Sequence, residues 1–317
     1  MKKRTLAGIT VLAAAILAAG CGSSGSAAAA SAAPAETAAP TEAAAPAETA
    51  APAETEAPAE PAAEPIHVTI GVTGTVHEDI WSAAVENLEK EGIEAELVQF
   101  SDYVLPNNAL DNYELDLNAF QHTLYLNAEI EQHGYKLQPI AYEYSTHLNL
   151  LSQKISSIDE IKDGDTIAIP NDVTNGGAAL KILQDAGLLT LSEDADFNPT
   201  EDDVVSKKVD FEITPLAPST IPSALADVTA AIVNVNYAID YGFKMEDALF
   251  VGDLKEREYW TVIAARTEDL SDPDKVALYD TIIKAFQSDG TARVYEEKFG
   301  GYYEPAGWDI DLLADYR

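Results

Sequence analysis

A two-lobed α/β fold with a cleft between the lobes is the architecture this chain predicts, and three features of the sequence lead there. Strand-length apolar runs alternate with amphipathic helical stretches from residue 66 to the C-terminus, and alternating βαβ units imply parallel sheets flanked by helices. The series restarts after about residue 145, and two such series in one chain suggest two lobes. By length, residues 66–317 make one large or two small domains. In open sheets of this kind, ligands bind outside the carboxyl ends of the strands.

The chain opens differently. Lys2, Lys3 and Arg4 precede an uninterrupted apolar run, and Cys21 follows it in "LAAGC". A basic segment, a short apolar segment and small residues at the cut form a secretory signal. Cys21 is the only cysteine in the chain. It lies where a bacterial lipoprotein carries its acyl chains, in a segment that resembles a lipobox with Ala18 at the usual Leu. The apolar run is shorter than the roughly 20 residues a membrane span needs. Residues 22–65 are almost wholly Ala, Pro, Glu, Thr and Ser, with near-repeats of "APAET". Such a segment cannot bury enough surface to offset the entropy of ordering, and its spaced prolines favour an extended tether over a helix.

In order, "HVTIGVT" predicts a strand. "HEDIWSAAVENLEKEG" predicts an amphipathic helix with Ile80, Ala84, Val85 and Leu88 on one stripe and Gly92 as its stop. "IEAELVQF" is a strand, "PNNALDNYE" a helix opened by Pro106, and "LDLNAF" a strand ending near His122. In the second series "DTIAIPN" is a strand and "NGGAALKILQDAG" a helix stopped by Gly187. "VDFEITP" is a strand, "IPSALAD" a helix and "TAAIVNVNY" a strand. "YWTVIAAR" is a further strand, and the closing helices lie in "DPDKVALYDTIIKAFQSDGTARVYEEKFG". The organisation expected is a signal peptide at 1–20, an anchor and tether at 21–65, lobe 1 at 66–145 plus 260–317, and lobe 2 at 146–259. The connecting strands are expected near 142–152 and 254–262.

The formal net charge is −35, from 19 Lys and Arg against 54 Asp and Glu. A chain this acidic is a poor match for nucleic acid or anionic lipid surfaces. It holds no G-x-S-x-G, Walker loop, H-E-x-x-H or cysteine nucleophile, so nothing in it points to an enzyme. His77, His122 and His147 fall near predicted cleft loops, but their spacing matches no metal motif, and His77 reads as a helix cap.

Taken together, "VQFSDYVLPNNAL", "YELDLNAFQHTLYL", "HGYKLQPIA", "SQKISSIDEIKDGDTIAIPNDVTNGGAALKILQDAGLL" and "AAIVNVNYAI" resemble the NLPA family, the lipid-anchored methionine-binding components of ABC importers. The resemblance covers essentially all of residues 66–317. It implies a type II periplasmic-binding-protein fold whose lobes close over L-methionine or a related amino acid. It also implies a membrane permease and its ATPase as partners, attachment to the cell membrane through lipid on Cys21, and no cofactor. By the same resemblance Tyr103, Phe120, His122 and Tyr125 surround the thioether, a contact favourable by about 0.3–1.5 kcal/mol per aromatic ring. Asn236 helps hold the amino-acid backbone, with Asn234 and Tyr237 close by.

"IPNDVTNGGAAL" reads as a strand, a turn and a helix start. Asn171 is expected to end the strand in the cleft, Thr174 or Asn175 to cap the helix, and the N–H groups of Asn175, Gly176 and Gly177 to receive a carboxylate. Several positions depart from the family pattern: Ala178 replaces an Arg that pairs with the ligand carboxylate, Leu151 replaces a Tyr, and His147 a Pro. Leu124 likewise stands where Pro is usual. A dipeptide, a modified amino acid or a divalent metal is therefore an alternative ligand, and a surface or adhesive lipoprotein an alternative of another class.

Overall fold

The computed structural model describes residues 64–317; the expected signal peptide, Cys21 and nearly all of the tether lie outside the described residues. The first strand, β1 (Ile66–Thr73), leads into α1 (Val76–Lys90) and β2 (Ile93–Phe100). Next come α2 (Leu105–Asp111), β3 (Leu117–His122), α3 (Thr123–His133) and β4 (Leu137–Tyr142). The chain then crosses through Glu143 into a second sheet. Its elements are β5 (Tyr144–Leu151), β6 (Thr166–Pro170), α4 (Val173–Asp185), β7 (Leu189–Leu191), β8 (Val204–Lys207) and β9 (Glu212–Leu216). They continue with α5 (Ile221–Ala224), β10 (Ala230–Asn234), α6 (Val235–Asp240) and β11 (Phe250–Asp253). The chain returns to the first sheet with β12 (Thr261–Arg266) and closes with α7 (Pro273–Phe286), α8 (Asp289–Phe299) and β13 (Tyr303–Pro305).

The first sheet runs β2-β1-β3-β12-β4 and the second β11-β5-β10-β6-β9, with β13 paired to the start of β5 and β7 paired to β8 apart from both. The two main sheets are mixed, which corrects the expectation of parallel sheets. β1 pairs parallel with β2 and β3, but β12 is antiparallel to β3 and β4. β5 is antiparallel to β10 and β11, while β6 is parallel to β10 and β9. The cause is the double crossing. β3 ends at the cleft with His122, the chain visits the second sheet, and β12 re-enters from the cleft side with Thr261 opposite His122. A strand that starts where its neighbour ends must run against it.

Both lobes bury their own apolar faces. On the first sheet, Val68, Ile70 and Val72 pack against Ile80, Trp81, Ala84 and Leu88 of α1 and against α7 and α8. Trp81 and Phe286 meet with ring centroids 4.5 Å apart. On the second sheet, Leu148, Leu150 and Ile232 pack under Ala179, Ile182 and Leu183 of α4. Each such fully buried large side chain contributes about 1.5–3 kcal/mol of transfer free energy.

One element lies outside the sequence reading and one differs from it. β3 ends at His122, as expected, and the segment after it, for which the sequence reading gives no element, is helix α3. Its start is fixed by His122, whose Nδ1 accepts the Tyr125 N–H at 3.1 Å, and its end by Gly134 at φ 76°. Only Gly adopts that left-handed geometry without strain. In contrast to the expectation, "TAAIVNVNY" is not one strand: β10 stops at Asn234 and α6 begins at Val235.

Candidate functional site

The strand ends and the crossings converge on a cavity between the sheets, lined on one side by aromatic rings and on the other by amide side chains. Its aromatic wall belongs to the first sheet's side. Tyr103 lies in the loop before α2, Phe120 on β3, and Tyr125 in the first turn of α3. Tyr103 stacks on Phe120 at 6.0 Å and meets Tyr125 edge-on at 6.0 Å. Phe120 and Tyr125 are edge-on at 6.4 Å, and Tyr237 of α6 approaches Tyr103 to 5.1 Å. The polar residue Gln121, between Phe120 and His122, turns away into a buried amide network. It exchanges hydrogen bonds with Asn107 at 2.6 and 2.7 Å, and Asn107 accepts a further one from Asn118 at 3.1 Å. That network fixes the strand that carries Phe120.

The opposite wall is polar. Asp172 precedes α4 and accepts the Asn175 N–H at 2.9 Å, the Thr174 hydroxyl at 3.0 Å, and the Asn175 side-chain amide at 3.0 and 3.2 Å. Asn175 Oδ1 accepts from Asn234 Nδ2 at 2.7 Å. Asn236 bridges the lobes: its Oδ1 accepts from the Tyr103 hydroxyl at 2.6 Å, and its Nδ2 lies 3.4 Å from both Thr73 oxygens. His77 shares a hydrogen bond of 3.2 Å with the Tyr144 hydroxyl.

Burial lowers the pKa of His77 to about 4, over the opposing effects of the Thr73 carbonyl and the Asp240 charge. It lowers that of His122 to about 4 as well, over the opposing Asp172 charge and the Asn175 side chain. Both rings are neutral at pH 7. Burial also raises the Tyr103, Tyr125 and Tyr237 hydroxyls far above the ordinary range, and the Asp172 charge adds to each.

Of the sequence-predicted site residues, the structure brings Tyr103, Phe120, His122, Tyr125, Asn175, Asn234 and Asn236 to this cavity. Asn171 is not among them. β6 ends one residue earlier, and Asn171 is exposed with its N–H on the Leu216 carbonyl, which corrects that expectation. The helix cap is Asp172, not Thr174 or Asn175. The expected anion site at α4 is therefore already taken, because Asp172 accepts the Asn175 N–H and its carbonyl accepts that of Gly176. His77 is not a cap either. It lies inside α1 and is buried. Ala178 is fully buried in the second lobe's core, and Leu151 is buried against α5. His147 does reach the cavity, donating through Nδ1 to the Gly252 carbonyl at 3.2 Å.

Sequence reasoning missed Tyr144, Tyr259, Thr261 and Tyr303 in the lining. Tyr144 and Thr261 start strands at the two crossings, so their signal is position at a strand's cleft end, visible only once the crossings are known. No Lys or Arg lines the cavity among the described residues. His77, His122 and His147 all line the cavity, but no group of three or more His, Cys, Asp or Glu among the described residues is placed to hold a metal ion. No described helix is long and apolar enough to cross a membrane.

The profile of the NlpA lipoprotein family matches residues 68–307. The D-methionine-binding lipoprotein MetQ of Salmonella typhi is 36% identical over 242 residues, spanning 75% of this chain and 88% of the relative. Among solved structures, a nutrient-binding protein from Burkholderia cenocepacia bound to methionine superposes with a TM-score of 0.70 at 31% identity, covering 75% of this chain and 99% of the other. The substrate-binding protein of a methionine transporter from Streptococcus pneumoniae does so with a TM-score of 0.71 at 30% identity, covering 76% and 95%.

Proposed function

The chain belongs to the NlpA lipoprotein family, and from that premise we propose that it is the solute-binding component of an ABC importer for methionine or a related amino acid. The observation that carries this reading is the cavity itself. Three aromatic rings, those of Tyr103, Phe120 and Tyr125, form one wall within 6.4 Å of each other. A thioether gains from such rings more than it does from water. Asn236, tied to both lobes, stands beside the rings to meet a polar backbone.

The task is capture and delivery, and the proposal assigns the chain no catalytic step. An open form admits the ligand, closure buries it, and the closed form delivers it to a permease driven by a cytoplasmic ATPase. Ligand shifts the population toward the closed form only by its differential affinity for that form. Export and acylation at Cys21 would hold the receptor at the outer face of a cell membrane, with residues 22–65 as spacer.

A thermal-shift screen of the full chain in detergent tests the reading. The panel is L-methionine, D-methionine, the other amino acids, methionine derivatives and divalent metals. A ligand at 100 times its Kd adds about 2.7 kcal/mol, which for a domain of this size raises Tm by roughly 2–4 °C per kcal/mol. A shift with methionine or a close derivative is expected. A shift with metals alone, or with none of the panel, contradicts the reading.

A further inference from the structure

Among the described residues, two side chains of the first lobe are each the lone visitor in an apolar cluster of the second. Tyr103 packs against the cluster that holds Leu151, Ile221, Val233 and Tyr237, whose other members all lie between residues 151 and 248. Leu124 packs against the core built on β5, β6 and α4, whose other members all lie between residues 148 and 259. Tyr103 also lines the cavity, so its packing across the lobes is inseparable from contact with a ligand. Leu124 does not line the cavity.

The start of α3 holds Leu124 in this place. Thr123 donates its N–H to the Trp260 carbonyl at 3.1 Å, at the second crossing between the sheets. The His122 cap fixes the Tyr125 N–H on the other side of Leu124. Helix α3 as a whole lies against α4 and the turn Arg257–Tyr259. A Pro is tolerated in the first turn of a helix, and the family resemblance places one at this position. Leu124 supplies a larger apolar side chain there, and it is spent on the other lobe.

Apolar packing between the lobes acts only while they are together. Opening would return Leu124 and the face it covers to water, so the contact favours the closed form whatever the ligand. A receptor whose binding-competent form is more populated binds every ligand tighter by the same factor. The core that Leu124 meets also contains Ala178, where the resemblance places an Arg that pairs with the ligand carboxylate.

We propose that Leu124 is a positioning residue, an apolar latch from α3 to the second lobe that sets the balance of open and closed forms, and with it the affinity, without touching the ligand. The inference rests on the receptor reading above and names the residue that governs its closure.

The experiment uses the full chain carrying Cys21→Ser, so that only introduced thiols take a label. Nitroxides attached through Glu89→Cys and Glu193→Cys, exposed positions on different lobes, report the interlobe distance by electron spin resonance. Without ligand, Leu124→Ala is expected to shift the distribution to longer distances. In calorimetric titrations without labels it is expected to weaken L-methionine and D-methionine by one common factor, at least about fivefold. Leu124→Met keeps the apolar volume and is expected to restore the wild-type distances and bring both affinities to within about twofold of wild type. Unchanged distances in Leu124→Ala overturn the latch, whatever its melting temperature. Longer distances with unchanged affinities overturn its control of binding. Different factors for the two probes place Leu124 against the ligand and overturn the inference as well. Binding of neither methionine by the wild type overturns the receptor reading, while the distances still decide the latch.

Discussion

His122 occupies the junction of β3 and α3, and its cap bond to Tyr125 requires an unprotonated Nδ1. Burial holds it neutral, with a pKa of about 4 against 6.5, and does the same for His77. Glu143 is the opposite case. It is fully buried at the first crossing between the sheets, and burial raises its carboxyl from 4.5 to about 8, the Trp81 side chain opposing only in part. The pH dependence of stability follows from these three groups. Between pH 6.5 and about 4, the unfolded chain takes up protons that the two folded histidines refuse, so stability falls as pH falls. Between pH 4.5 and about 8, folded Glu143 keeps a proton that the unfolded chain has lost, so stability falls as pH rises. Two groups outweigh one below pH 6.5, and Glu143 acts alone above it. Urea midpoints are therefore expected to peak near pH 6.5 and decline toward pH 8. Each tenfold difference in proton affinity between the folded and unfolded chain is worth about 1.4 kcal/mol. Glu143→Gln should abolish the decline on the alkaline side. A wild-type midpoint that stays level from pH 6.5 to 8 contradicts the assignment.

At the residue scale the aromatic side chains of the site are legible only through the family resemblance, which places Tyr103 of "FSDY" and Phe120 of "FQH" around the ligand. Asp172 is harder to pick out, although it stands three residues before Asn175 where a capping Asp belongs. The family pattern draws attention to the asparagines instead. Asn171 misleads because the apolar run invites a strand carried past Pro170, and one residue moves a side chain to the other face.

Among the elements, α6 does the joining. It follows β10 of the second sheet, yet Val235 packs in the first lobe's core and Tyr237 in the second's. At its end Asp240 caps α1 of the other lobe. It accepts the Thr75 N–H at 2.9 Å, the Thr75 hydroxyl at 2.7 Å and the Val76 N–H at 3.2 Å. Thr75 makes no side-chain cap of its own, so the carboxylate is what meets the positive end of α1. Asp240→Ala is expected to cost about 0.5–2 kcal/mol of stability, the usual worth of a cap. It should also weaken ligand binding, because these bonds tie α6, which follows a strand of the second sheet, to α1 of the first lobe beside the cavity. Gly74→Ala should act in the same direction. Gly74 has φ +80°, and a Cβ there would lie 2.4 Å from Asp240 Oδ2. Melting and titration of both variants check this; normal melting and affinity in both would rule out the clasp.

Helix α1 can be read from its stripe, since Ile80, Ala84 and Leu88 repeat every fourth residue and all are buried. Helix α3 cannot, because its first residues, "TLYL", carry strand-like side chains and its cap is a histidine. The antiparallel β5 and β12 are equally hidden. Direction is set by which lobe the chain has come from, and no local pattern encodes that.

Over the whole molecule, a chain of net charge −35 is repelled by anionic headgroups, and the membrane attachment proposed above rests on acylation of Cys21. Cys21→Ser is expected to move the protein from the membrane to the soluble fraction with ligand affinity unchanged, measured by fractionation and titration. Retention on membranes would contradict the anchor. The cavity is likewise a property of the whole, since its aromatic wall and its amide wall come from different sheets.

The central claim is that this interlobe cavity is where the ligand binds. It is tested most directly by titrating wild type, Phe120→Ala and Asn236→Ala with the tightest compound of the panel. The account predicts that Phe120→Ala loses aromatic contact and Asn236→Ala the polar bridge, each weakening binding by at least about tenfold, or roughly 1.4 kcal/mol. Wild-type affinity in both variants, with their melting unchanged, would place the ligand elsewhere and contradict it.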